Sequence, residues 1–392
     1  MTDTTNPLGL DEHSHGAGVH VPDSKRDART RSFDVSDFAV PTGREEEWRF
    51  SPVRKLSDFF TDAASETKLT TKNADLPEGI SVEEISLEAA QELGILEPED
   101  RPAAVAANRA QAVTHYSVPA NTEIEGAAVI HADGTGNDIS HGHVVVSVGA
   151  NAKATIVVEH EGLARHSELV SLVIGDGADV TFVSLQLWDD EAQHLGQHDA
   201  IVGKDAKLKH IVISLGGDIV RLNTNVRYSA AGGEAELLGL YFADAGQHFE
   251  HRTYIDHNTP KAKSNVHYKG ALQGKDARSV WIGDVLIRPE ALDIDTYELN
   301  RNLILTDGAR ADSVPNLEIE TGDIAGAGHA SSTGRFDEEH LFYLMSRGIP
   351  EDVARQLVVR GFFNEVIQKI QVPEIEEVLN ERIEEELSRS VL

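Results

Sequence analysis

From Val113 to about residue 333, apolar and polar positions alternate with a period of two, and β-branched and aromatic residues supply many of the apolar ones. That pattern predicts strands over Ala154-Thr-Ile-Val-Val, Val180-Thr-Phe-Val-Ser-Leu-Gln-Leu, Leu208-Lys-His-Ile-Val-Ile-Ser-Leu and Leu237-Leu-Gly-Leu-Tyr-Phe. A phrase Gly-x-x-Ala precedes each, at Gly149, Gly175, Gly203 and Gly232, and returns at Gly274 and Gly308. A strand-and-turn unit of this size cannot bury its apolar face alone, so successive units are expected to stack. The expected core is therefore a β-solenoid, with a two-sheet β-sandwich as the competing architecture. The repeated phrase favours the solenoid, because it suggests one tight corner rebuilt at every coil.

The pattern changes to a helical period on either side. Thr42 lies three residues ahead of Glu45 in Pro41-Thr-Gly-Arg-Glu-Glu-Glu-Trp-Arg-Phe, as in a capping box. Ser81-Val-Glu-Glu-Ile, Leu87-Glu-Ala-Ala-Gln-Glu-Leu and Ala103 to Ala112 read as further helix, with Trp48 and Phe50 as core anchors. Beyond Gly334, Asp337 is placed to cap a helix over Glu338–Arg347, Gly348 to stop it and Pro350 to open the next. Val353, Leu357, Val358, Phe362, Val366 and Ile370 form a stripe on that helix; Ile375, Val378, Leu379, Ile383 and Leu387 form one on the last. The expected organisation is an arm over 1–31, a helical domain over 32–112, the β core over 113–333 and a second helical domain over 334–392. Tyr254-Ile-Asp-His-Asn-Thr-Pro-Lys, in the longest interval between phrases, reads as an inserted loop or part of an interface.

Composition narrows the function. The formal net charge of −31 repels nucleic acid and anionic lipid. No run of apolar residues is long enough to cross a membrane and no export signal opens the chain, so the cytoplasm is the expected location. The absence of cysteine excludes disulfides, thiolate ligands and thiol catalysis. There is no phosphate loop, nucleophile elbow or His-Glu-x-x-His. Histidines recur at short spacings, as His13, His15 and His20, His141 and His143, His194 and His198, and His248, His251 and His257, none with a full ligand set in recognisable spacing.

Near Pro315 the chain reads Pro-Asn-Leu-Glu-Ile, then His329, then Phe336-Asp-Glu-Glu-His-Leu-Phe-Tyr-Leu-Met-Ser-Arg-Gly-Ile-Pro. This resembles the C-terminal motif of the SufB/SufD family of iron–sulfur cluster assembly proteins. The likeness extends to Tyr254-Ile-Asp-His-Asn-Thr-Pro, Lys269-Gly-Ala-Leu-Gln-Gly-Lys, Tyr297-Glu-Leu-Asn-Arg-Asn-Leu-Ile-Leu-Thr-Asp and Pro41 to Phe50. It implies a right-handed parallel β-helix core flanked by N- and C-terminal α-helical domains. It also implies a non-catalytic scaffold subunit that pairs through its core with a SufB-type paralogue and through its C-terminal helices with SufC, an ABC-type ATPase that hydrolyses the ATP. Sulfur would come from a cysteine desulfurase system, and the subunit would support cluster formation and iron acquisition.

With no cysteine, the chain falls on the SufD side of the resemblance. The family's Lys-Cys-Ser-His-Gly becomes Ala325-Gly-Ala-Gly-His329-Ala, and counting back from Asp337 places His329 on the family histidine, expected to touch a nascent cluster at the interface. Arg347, Leu357, Phe362, Phe363 and Val366 are the residues assigned to the ATPase. No tightly bound cofactor is expected of the chain alone, only a transient cluster in the complex, and a homodimer is allowed when the partner is missing. The alternative is a stand-alone metal-binding or enzymatic β-solenoid.

Overall fold

In the computed structural model, which describes residues 29–73, 76–336 and 338–389, the core is a parallel β-solenoid flattened into two sheets. The His13, His15 and His20 group lies outside the described residues. Two short strands come first, β1 (Thr70–Lys72) and β2 (Ser81–Ile85). One sheet then takes β4 (Glu123–Asp133), β6 (Lys153–Gly162), β8 (Asp179–Trp188), β10 (Lys207–Ser214), β12 (Glu234–Ala243), β14 (Lys263–Leu272), β16 (Ile294–Ile304) and β18 (Ile324–Arg335). The other takes β3 (Val113–Val118), β5 (Ile139–Val148), β7 (Arg165–Ile174), β9 (Gln193–Val202), β11 (Ile219–Tyr228), β13 (His248–His257), β15 (Arg278–Ile287) and β17 (Arg310–Ile319). Each coil contributes one strand to each sheet, and all pairings between coils are parallel. Side chains at alternate positions fill the lumen, where Ile156, Val158, Val180, Phe182, Leu208, Val212, Leu237 and Val266 stack coil upon coil.

The corners explain the Gly-x-x-Ala phrase and limit it. Asn121, Asn151, Gly177, Asp205, Gly232, Lys261 and Asp293 form a stacked column of left-handed residues, φ 51° to 83°. Each donates its N–H to a carbonyl of the next coil, as Asn151 does to Asp176 (2.8 Å) and Lys261 to Leu292 (2.8 Å). The ladder thus continues through the bend, and Asn or Asp tolerates that backbone better than other non-glycine residues. The phrases at Gly149, Gly175 and Gly203 turn this corner, with the alanine tucked inside. At Gly232 the phrase is out of step, since Gly232 is itself the left-handed residue and Ala235 already lies in β12. The phrases at Gly274 and Gly308 turn the opposite corner, into β15 and β17. Lys261 turns a corner without the phrase, so the long interval holds no insertion, and Tyr254 to His257 are simply the end of β13.

The flanks differ more from expectation. Glu45 does accept from the Thr42 N–H (3.0 Å) and hydroxyl (2.7 Å), yet only turns follow, because Trp48 folds in against Phe60, Leu195 and Ile219. Phe50 is half-buried. Ser81-Val-Glu-Glu-Ile is strand β2, not helix; α1 is Leu87–Glu92 and α2 is Arg101–Arg109. This segment lies on the outer face of the second sheet, where Arg221 meets Asp100 (2.7 Å) and stacks over Trp48 (3.8 Å).

After β18 come α3 (Glu338–Ser346), α4 (Glu351–Ile370) and α5 (Pro373–Arg389), with Gly348 ending the α3 segment at φ 86°. Val359, Phe363, Val366, Ile367 and Ile370 of α4, with Ile375, Leu379 and Ile383 of α5, cover the outer face of the first sheet. There they meet Val157, Val183, Leu185, Ile211, Ile213, Leu238, Leu240 and Phe242.

Candidate functional site

The solenoid finishes in two strands, β17 and β18, each bonded to the coil before it and open along its other edge. Their backbone polarity follows from the last ladder bonds. The Arg310 and Glu320 N–H groups donate inward to Ala277 and Ile287, each at 2.9 Å, so even-numbered residues of β17 pair and odd-numbered ones face out. Pro315 sits at an outward position, where its missing N–H costs no ladder bond. On β18 the Phe336 N–H donates to Ile304 (2.9 Å), which turns the N–H groups of Ala327, His329, Ser331 and Thr333 outward.

His329 is in register with Glu298, a buried lumen residue, so its side chain lies on the lumen side of the last coil and is solvent-exposed there. Glycines leave the space this arrangement needs. A Cβ on Gly283 would come within 2.7 Å of Glu298 Oε1, and one on Gly328 within 3.1 Å of the Tyr297 ring.

A hydrogen-bonded set holds the last strands in place. Tyr241 Oη donates to Asn302 Oδ1 (2.6 Å) and accepts from Asn300 Nδ2 (3.0 Å), Asn302 Nδ2 donates to Asn300 Oδ1 (2.7 Å), and Ser313 Oγ donates to Asn300 Oδ1 (2.6 Å). Four strands, β12, β16, β17 and one contact to Thr333 on β18 (3.4 Å), are thereby tied together inside the lumen. The open edges are fixed by this set before any partner arrives. Nothing in the local sequence marked these residues, because the set closes only when coils stack.

The five residues assigned to a partner separate. Phe363 and Val366 are fully buried and hold α4 to its own sheet, which removes them from any docking surface in this conformation. Arg347 and Leu357 are exposed and Phe362 is partly so. Phe342 (74% exposed), Tyr343 (55%), Met345 and Val353 join Leu357 in an outward-facing apolar set on α3 and α4. Arg347 lies over the Tyr343 ring at 5.1 Å. Of the stripe read from sequence on α4, Val366 and Ile370 are buried against the sheet and Phe362 packs partly on it, whereas Val353 and Leu357 are exposed and Val359 and Phe363 take the contact in their place.

The histidine pairs also separate. His141 and His143 are buried on the outer side of β5, under the N-terminal segment, with His141 Nδ1 2.8 Å from Ser167 Oγ. His248 points outward beside Glu250, whereas His251 points into the lumen against Ser214 (3.0 Å) and Tyr241, so the two imidazoles of the stand-alone metal reading do not converge. His257 stacks on Tyr228 at 5.2 Å. Burial pushes His251 and His257 down to about 3 and His198 to about 4, which keeps them neutral. His194 and His198 both face the lumen, as His251 and His257 do, and His198 pairs with His210 (3.1 Å).

Comparison with known proteins gives a consistent picture. Residues 130–362 match the family description "SUF system FeS cluster assembly, SufBD core domain". The chain is 49% identical over 365 residues to an iron–sulfur cluster assembly SufBD family protein of Mycobacterium tuberculosis, covering 91% of each. It is 24% identical over 359 residues to the iron–sulfur cluster assembly protein SufD of Escherichia coli, covering 89% of this chain and 79% of that one. With SufD of Bacillus subtilis the identity is 28% over 279 residues, 68% and 62% of the two chains.

Proposed function

We propose that this chain, which belongs to the SufB/SufD family of iron–sulfur cluster assembly proteins, is the SufD-type scaffold subunit of a cluster-assembling complex. The observation that carries the reading is the open end: two adjacent strand edges of about ten residues without a pairing neighbour, held in place from within, are a template for a second solenoid. A SufB-type paralogue is the occupant, continuing both sheets across the junction; a second copy of this chain takes its place when the paralogue is missing. His329 stands at that junction, on the lumen side, where its imidazole serves a nascent cluster whose thiolates the cysteine-free chain leaves to the paralogue.

The exposed set Phe342, Tyr343, Met345, Val353 and Leu357, with Arg347 beside it, is the docking surface for a SufC-type ATPase, which does the ATP hydrolysis. This chain then works without catalysis of its own, in the cytoplasm, receiving sulfur by way of a desulfurase system and supporting iron acquisition. No helix among the described residues is long and apolar enough to cross a membrane.

Co-expression with the host's paralogue and ATPase, followed by size and subunit ratio of what co-purifies, tests the reading. A complex of all three is expected, and a protein that ignores both partners would overturn it. Phe342→Glu with Leu357→Glu should lose the ATPase and keep the paralogue, because both side chains already face solvent and the fold does not need them.

A further inference from the structure

Three imidazoles and a carboxylate meet inside the solenoid, well away from the open end. His160 on β6, His166 and Glu168 on β7 and His194 on β9 are all buried at lumen-facing positions, on strands whose other lumen residues include Ile156, Val158, Val170, Leu172 and Ala200 beside His198. His160 Nε2 lies 3.3 Å and His194 Nε2 3.8 Å from Glu168 Oε2, and the three atoms all fall within 4.8 Å of one another. His160 Nε2 and Glu168 Oε2 face each other as an ion-pair contact, whereas His194 Nε2 and His166 Nε2 have no hydrogen-bond partner. Buried imidazole nitrogens that face a carboxylate without a partner of their own cost free energy unless something fills the gap.

Gln186 shows which donors are ready. Its Oε1 accepts from Trp188 Nε1 (2.6 Å), and because an indole nitrogen only donates, the amide orientation is fixed. The same Oε1 lies 2.6 Å from His194 Nδ1, which must then carry the proton. The lone pair of His194 is therefore on Nε2, aimed at Glu168. An imidazole whose far N–H is anchored on a carbonyl oxygen is the arrangement that orients metal-bound histidines. His166 Nδ1 is held 2.8 Å from Ser140 Oγ, a hydroxyl that accommodates either tautomer. Gly142 helps: a Cβ there would come within 2.9 Å of His166 Nε2.

We propose that His160, Glu168 and His194 form an enclosed site for one divalent transition-metal ion of the Zn2+, Fe2+ or Co2+ type. Donors of a tetrahedral ion with bonds of about 2.1 Å stand roughly 3.4 Å apart, close to the separations seen here. Two nitrogens and one oxygen exclude Mg2+ and Ca2+, which take oxygen donors. His166 is the neighbour placed to supply a fourth. His160 is the donor the site can best spare, since the Gln186 amide lies 3.2 Å from its Nδ1 and leaves the proton on Nε2, where an ion must displace it. The inference goes beyond the scaffold reading: the ion is resident in the fold and is not the cluster's iron.

Because the site is enclosed, the test unfolds the full-length chain in chelator and refolds it with Co2+, followed by desalting and metal analysis. Wild type should retain one more equivalent of Co2+ than Glu168→Gln/His194→Gln, with visible bands of a tetrahedral or five-coordinate ion. Gln186→Leu should weaken binding roughly 10- to 100-fold through lost orientation of His194, and His160→Gln should weaken it least. Equal Co2+ in wild type and the double variant, both melting cooperatively, would overturn the proposal. If the double variant does not fold, X-ray absorption of the wild-type Zn2+ form decides: a shell with two histidines is expected, and a wild type holding no metal after desalting sinks the idea.

Discussion

The two ends of the coil stack are finished in opposite ways. At the first coil, β2 runs antiparallel along β3 and β1 antiparallel along the last three residues of β4, so one sheet's edge is covered and the other's is capped at one end. Leu69, Leu76 and Ile80 pack on the core there, and Tyr116 fills the lumen with its hydroxyl donating to Asn73 (3.0 Å). At the last coil nothing among the described residues pairs with the outer edge of β17 or of β18, which bond only inward to β15 and β16. The chain does not lack material, since α3, α4 and α5 follow at once, but α4 and α5 run back over the face of the first sheet. A long bare edge invites unwanted pairing, and proteins ordinarily blunt it. One end is partly blunted and the other, with helices in reach, is left bare, which supports the proposal that a partner pairs at the last coil.

The largest effect should come from removing residues 351–392. If α4 and α5 were an imperfect lid on the open end, their loss would leave a soluble core with freer edges. As the cover of a face, they take with them the partners of Val183, Ile211, Leu238, Leu240 and Phe242, and the truncated chain should be insoluble on expression. Such a truncation is therefore a poor test of ATPase docking. At the closed end Tyr116→Ala should cost about 3–5 kcal/mol in denaturant titration, as large aromatic truncations in cores do, with no loss of paralogue binding. At the open end the ranking reverses. Ile319→Pro with Ser331→Pro removes two outward N–H groups, one on each strand, and no inward ladder bond. Two lost bonds of about 1.4 kcal/mol each predict roughly 100-fold weaker paralogue binding by titration, while the melting temperature moves little.

What the sequence made legible follows the same division. Period-two alternation and left-handed Asn, Asp and Gly positions are local, so the strands and most corners could be read directly. The flanks were harder because Val82 and Ile85 fit helical spacing and strand pairing alike, and only the edge offered by β3 decides for the strand. The α4 stripe was misread for a related reason: Leu357 and Val359 are equally apolar, and the position of the first sheet selects Val359. Lumen clusters were the least visible. That His160, Glu168 and His194 point inward is readable from parity, but that they meet depends on the number of residues each corner consumes. His329 was found through resemblance to a family motif, not from any spacing in this chain.

The smallest stability effect and the most specific functional one should coincide at His329. The side chain is exposed, so His329→Ala should change unfolding free energy by less than about 0.5 kcal/mol. Its backbone keeps the outward N–H, so assembly with the paralogue and ATPase should be unchanged in subunit ratio. Cluster yield in the reconstituted complex should nevertheless fall, because the substitution removes the nitrogen that the last coil presents on the lumen side, in register with Glu298. A variant at Ser331 that keeps the backbone, Ser331→Ala, lies on the same strand and the same side and controls for loss of surface alone. Reduced yield in both would mean that the edge as a whole, and not the imidazole, is what the cluster needs; unchanged yield in His329→Ala would remove the ligand role while leaving the open end as a docking surface.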